Sequence, residues 1–110
     1  MVIKNNYDTI EKLYKLKDKT SIFEFLDSNS YLTDFLIDAH KQIVNIFENS
    51  VIQLNLVIDE GIESLFANIF TDLLVDEAMS KMDYLDENWF LSNMDKAKGK
   101  FNFDVEWNFN

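Results

Sequence analysis

The clearest regularity in the chain lies between residues 31 and 48. Leu32, Phe35, Leu36, Ala39, Ile43 and Phe47 recur at steps of three and four, and Asp34, Asp38, Lys41, Asn45 and Glu48 fill the remaining positions. That spacing draws one apolar stripe along a 3.6-residue repeat and predicts an amphipathic helix over about 31–48. Two shorter helical patterns precede it. Asp8-Thr9-Ile10-Glu11 has capping-box spacing and is followed by Leu13, Tyr14 and Leu16, which predicts a helix over about 8–17, with residues 1–7 frayed. Ser21-Ile22-Phe23-Glu24 repeats the box ahead of Phe25 and Leu26. Asp27-Ser28-Asn29-Ser30 then breaks the run, and Ser28 or Ser30 can cap the long helix.

The period changes to two after Ser50. Ile52, Leu54, Leu56 and Ile58 alternate with Val51, Gln53, Asn55 and Val57, which is a strand pattern. Asp59-Glu60-Gly61 reads as a turn, and Leu65, Ala67 and Ile69 then alternate with Phe66, Asn68 and Phe70. Two strands joined by so short a turn predict a β-hairpin. Val75, Ala78, Met82 and Leu85 return to helical spacing, with Asp76 and Glu77 in the first turn where the helix dipole favours acids. Asp86-Glu87-Asn88 interrupts that helix, and Trp89-Phe90-Leu91 forms an apolar knot. Trp89 is expected to be buried there, under the edge of the sheet. A basic loop, Lys96-Ala97-Lys98-Gly99-Lys100, leads into a third strand with Phe101, Phe103, Val105, Trp107 and Phe109 on one face.

The expected fold is therefore α+β, with helices packed on a three-stranded, mainly antiparallel sheet in the order ααββαβ. One domain accounts for 110 residues. The last strand can pair antiparallel beside the first or parallel beside the second. Its polar outer face favours the first arrangement, since antiparallel sheets are often wet on one side.

Composition narrows the chemistry. With no Cys and a single His, His40, the chain has no disulfide, no thiol nucleophile and no multi-His metal site. Two glycines, Gly61 and Gly99, cannot build a phosphate-cradling loop. All ten basic residues are Lys, and the lack of Arg weakens bidentate phosphate recognition. Hydrophobic residues make up 47% of the chain and aromatics 15%, enough to bury a core rather than remain disordered. No cofactor is indicated. Nothing at the N-terminus has signal-peptide character and no apolar run could span a bilayer, so a cytoplasmic location without membrane association is expected.

The net charge of −10 is uneven. Residues 21–90 hold fourteen acids against two Lys, whereas the flanking segments are balanced or weakly basic. Such a surface disfavours direct nucleic-acid binding and attracts a basic partner. It also serves simply to keep an aromatic-rich domain soluble.

Toward the C-terminus, Asp86, Glu87, Trp89, Phe90 and Leu91 match a D-E-x-W-[W/F]-L motif, and Gly99, Lys100, Asp104, Val105 and Glu106 match G-K-x-x-x-D-V-E. Over roughly residues 50–106 the chain resembles a family of short uncharacterised bacterial proteins that carry both motifs. Such sequences tend to open the preceding helix with a small cap and Pro, where this chain has Leu74-Val75. The resemblance implies a fold and assigns no functional residue.

Two groups of residues are candidate sites. Asp76, Glu77, Asp83, Asp86 and Glu87 form the densest acidic cluster. Asp83, Asp86 and Glu87 fall on one helix face and could take a divalent cation, as a metal-dependent carboxylate enzyme would require. The favoured reading of this cluster, however, is a solvated, acidic helix face beside Trp89, because no EF-hand spacing and no supporting His accompany it. Phe66 and Phe70, with Val51 and Val57, fall on the sheet face opposite the expected core, where exposed aromatics mark a partner surface unless the N-terminal helices cover them. The favoured expectation is a non-enzymatic, acidic interaction protein: an inhibitor or antitoxin-like partner of a basic protein, or a nucleic-acid mimic. It is expected to form a weak or moderate homodimer, either by pairing of the Phe101–Phe109 strand edge or through the Phe66/Phe70 face. Catalytic residues are expected to be absent.

Overall fold

A computed structural model describes residues 7–48 and 50–107. The expected frayed start therefore lies outside the described residues except for Tyr7, which is helical, and Phe109 lies outside them as well. The architecture is α+β: a mixed four-stranded sheet covered on one face by helices. The helices are α1 (Tyr7–Leu13), α2 (Lys19–Ser28), α3 (Tyr31–Ile46) and α4 (Val75–Leu85). The strands are β1 (Lys15–Leu16), β2 (Val51–Asp59), β3 (Ile62–Thr71) and β4 (Phe101–Trp107), in spatial order β1-β2-β3-β4.

The expected order ααββαβ is corrected, since three helices, α1, α2 and α3, precede the β2–β3 hairpin, and two features of the expected sheet are corrected with it. A fourth strand exists, because α1 stops at Leu13 and the chain straightens into β1, parallel to β2. Tyr14 fixes this turn: it is buried, and its hydroxyl donates to the Leu36 carbonyl of α3 over 2.7 Å. Two residues are too few to show a strand period, so Lys15-Leu16 reads from sequence as a helix end. The second of these sheet features follows from the first. With β1 on the free edge of β2, β4 pairs parallel with β3 instead, Ala67 opposite Phe103. Only β2 and β3 are antiparallel. The polar outer face of β4 did not discriminate, since that face is wet in either arrangement.

The hairpin turn consists of Glu60 and Gly61, with φ of 53° and 81°. Two central residues with positive φ match the right-handed twist of the flanking strands, the geometry of a type I′ turn. Among the helices, α3 spans nearly the expected range, with its stripe of Leu32, Phe35, Leu36, Ala39 and Ile43 in the core. Asp18, rather than Ser21, caps α2: its carboxylate accepts from the Ser21 backbone N–H and from the Ser21 hydroxyl. Asp8 lies inside the first turn of α1 rather than at its cap.

After α4 the chain does not break at Asp86-Glu87-Asn88. It widens into a π-helical turn, Asp86–Phe90, in which the Leu91 N–H reaches back to the Asp86 carbonyl. Asn88 and Asn93 donate their side-chain amides to the carbonyls of Tyr84 and Trp89, supplying partners near the distortion. A helical turn (Leu91–Asn93) and a 3-10 turn (Met94–Ala97) then lead to β4.

The core lies between the helices and the sheet face formed by Ile52, Leu54, Leu65, Ala67, Ile69, Phe101, Phe103 and Val105. Trp89 is buried as expected, in the core that the sheet face shares, and its ring packs against α3. Its ring lies 5.3 Å from Phe35, and Phe90 beside it reaches β4 edge-to-face at Phe103, 5.1 Å away.

Candidate interaction surfaces

The described helices lie on the core side of the sheet. Ile10 of α1 and Ile22, Phe25 and Leu26 of α2 join the same core as Ile52 and Leu54, so these helices do not cover the opposite face. Strand register sets what that outer face presents. One row across the sheet reads Lys15, Gln53, Asn68, Asp104; a second reads Val51, Phe70, Glu106; a third reads Asn55, Phe66, Asn102. Phe66 and Phe70 are half-buried and pack neither in the core nor against it. Val51 is 48% exposed, and Val57 and Ile62 are exposed as well. In the middle of the face the Asn55 amide donates to Asn68, which itself reaches Glu106, while Asn55 Oδ1 is shielded from solvent without a partner.

The sites expected from sequence thus separate. Phe66, Phe70 and Val57 sit on the outer sheet face, whereas Asp76, Glu77, Asp83, Asp86 and Glu87 belong to the helical layer on the other side. One cleft is lined by residues of both groups. Its volume is about 680 Å³, and Phe70, Val51, Lys15, Glu77 and Lys81 are among its lining residues. Lys81 is already occupied, donating to the Ile46 carbonyl at the end of α3 over 3.0 Å.

Around α4 the acidic cluster is open to solvent. Asp76, Glu77, Asp83 and Glu87 are exposed and Asp86 is half-buried. None of the five carboxylates forms an ion pair or a side-chain hydrogen bond with another described residue. Among the described residues, no group of three or more His, Asp or Glu side chains is arranged to hold a metal ion. The same helix exposes Val75, Met79 and Tyr84 among its acids, and Leu91 and Met94 follow beyond the π turn.

No protein family, no curated protein and no solved structure matches this chain. The resemblance over residues 50–106 therefore rests on its two motifs alone. No helix among the described residues is long and apolar enough to cross a membrane.

Two polar groups noted in the sequence have structural settings. His40 lies edge-on to Tyr14, ring centroids 5.2 Å apart, and partial burial lowers its pKa below the ordinary 6.5 despite an opposing backbone hydrogen bond at Leu13. Lys98, in the basic loop, sits 4.6 Å from the centre of the Tyr31 ring, a cation–π contact that ties the loop to α3. Sequence reasoning missed the charge gradient across the outer face. Lys15 and Asp104 are distant in the chain, and only the parallel pairings of β1 and β4 put them in one row.

Proposed function

We propose that this protein is a non-catalytic binding protein that presents its α4 surface to a basic protein partner. The observation that carries the reading is the set of unpaired carboxylates on and after α4, with exposed Val75 and Met79 among them. Carboxylates without a salt-bridge partner are free to meet cations from outside, and neighbouring apolar side chains add buried area once water is excluded. This combination suits a basic, amphipathic segment. Repulsion of nucleic acid by the same surface fits a role as an inhibitor or a nucleic-acid mimic directed at a basic protein.

Affinity capture at low and at physiological salt tests this. The native chain is compared with a variant carrying Asp76→Asn, Asp83→Asn and Glu87→Gln. The expected result is a basic protein retained by the native chain, released as salt rises, and lost in the variant. Recovery of no partner at either salt, or equal recovery by the variant, overturns the reading.

A further inference from the structure

The outer sheet face is complementary to itself. Its central row runs from a cation to an anion, Lys15, Gln53, Asn68, Asp104, and Glu106 lies on the same strand as Asp104. Among the described residues, neither Lys15 nor Lys17 pairs with an acid, and no cation pairs with Asp104 or Glu106. A two-fold axis parallel to the strands, between β2 and β3, lays this row over its own reverse. Lys15 then faces the partner's Asp104, and the symmetric contact repeats at the other edge. Between the charged edges lie the half-buried rings of Phe66 and Phe70 and the exposed Val51.

We propose that the outer sheet face binds a second copy of this chain, forming a two-fold dimer by face-to-face packing with Lys15 against the partner's Asp104. Aligned sheets pack about 10 Å apart with interdigitating side chains, a gap that the long Lys side chain spans to reach the partner's Asp at the rims. A two-fold interface must be self-complementary, and this face meets that condition in charge as well as in apolar content. The competing route, pairing of β4 edges, is obstructed. Lys100 O accepts from Leu65 N at 2.8 Å, so the backbone groups of Phe103 and Val105 point away from β3. Their N–H groups are already taken by Asn102 Oδ1 at 2.9 Å and Asp104 Oδ1 at 2.8 Å. Glu77 shares a cleft with Lys15, Val51 and Phe70 at the rim of this face, but Asp76, Asp83 and Glu87, the acids replaced in the test of the proposed function, do not line it, so the two proposals are tested separately.

Sedimentation equilibrium across micromolar to millimolar protein tests the proposal. The native chain should dimerise. Lys15→Glu, a change at an exposed position, should weaken the dimer by about tenfold or more, because two pairs become two repulsions. Adding Asp104→Asn should recover part of that loss, since Asn keeps the oxygen that accepts from Val105 N–H and removes the repelling charge. Phe66→Ser with Phe70→Ser, confirmed folded by circular dichroism, should be monomeric. A native chain that stays monomeric throughout, a dimer that persists in the folded Ser variant, or a dimer insensitive to Lys15→Glu each overturns the proposal.

Discussion

The indole N–H of Trp89 donates to Asp38 Oδ2 across 3.0 Å, joining the π turn to the middle of α3. The π turn sets this contact, because one extra residue in the turn changes the direction in which Trp89 leaves the helix. Phe35 packs against the ring on the α3 side, and Phe90 continues the aromatic chain to β4. Truncation to Ala removes this anchor and leaves a large void, at a cost of about 3–5 kcal/mol. Trp89→Phe keeps most of the apolar area and loses the hydrogen bond, at about 1–2 kcal/mol. Urea titrations of the two variants should rank them in that order. Equal midpoints for Trp89→Ala and the native chain would place the ring outside the core.

Stability should fall toward both ends of the pH scale for identifiable reasons. Burial first, and then the nearby Asp38 charge, hold the Tyr14 phenol well above its ordinary 10.0. Tyr7 is pushed up to about 12, by desolvation and by the hydrogen bond it donates to Asp27. A raised folded pKa means that the unfolded chain loses its proton first. The stabilisation is therefore complete below pH 10 and is lost progressively above it. His40 has the opposite arrangement, a folded pKa lowered by burial. Its contribution is complete above 6.5 and declines as pH falls through that value toward the folded pKa, since the unfolded chain takes up the proton first. Melting temperatures measured across pH should show both limbs. Tyr14→Phe should flatten the alkaline limb and His40→Gln the one just below 6.5.

Much of this fold is legible in the sequence wherever one face repeats over several turns or residues. The stripe from Leu32 to Ile43 and the alternation from Phe101 to Val105 both identify their elements and their buried sides. Pairing is not legible in the same way. Nothing in Lys15-Leu16 marks a strand, because the reason it is one lies in Tyr14 and its contact with a carbonyl 22 positions away. That short strand decides which edge β4 can reach, so a local omission became an error in topology. The candidate sites fared similarly. The sequence separates apolar from acidic residues, but whether Phe66 and Asp83 share a surface depends on which side of the sheet the helices lie.

The hairpin turn offers a stabilising change. Glu60 holds φ of 53° without the freedom of glycine, and Gly61 follows at 81°. Asn tolerates the left-handed region better than Glu, and Asn-Gly is the preferred pair for this turn. Glu60→Asn should therefore raise stability by about 0.5–1 kcal/mol. In contrast, Gly61→Ala should lower it by about 1–2 kcal/mol through backbone strain. A Cβ at Gly61 would meet nothing within 4 Å, so no packing change confuses that comparison. Denaturant midpoints moving in opposite directions would establish the turn type.

The exposed edge of β4 should behave as a guarded edge. An open row of backbone N–H groups on a strand without Pro invites pairing with other chains. Here Asn102 and Asp104 supply their own carbonyl and carboxylate oxygens to the N–H groups of Phe103 and Val105, the next residue in each case. Both side chains are exposed, so their removal should change folding stability only slightly. Replacing both by Ala frees the N–H groups and removes one negative charge from each chain. The expected outcome is slow, concentration-dependent growth of large species in light scattering, with an intermolecular β-sheet band in the infrared spectrum. Asp104→Asn keeps the accepting oxygen, so with Asn102 intact it should not promote this growth. If the double Ala variant remains as free of large species as the native chain, side-chain guarding does not protect the edge. If Asp104→Asn alone produces them, charge rather than the occupied N–H group is what holds other strands away.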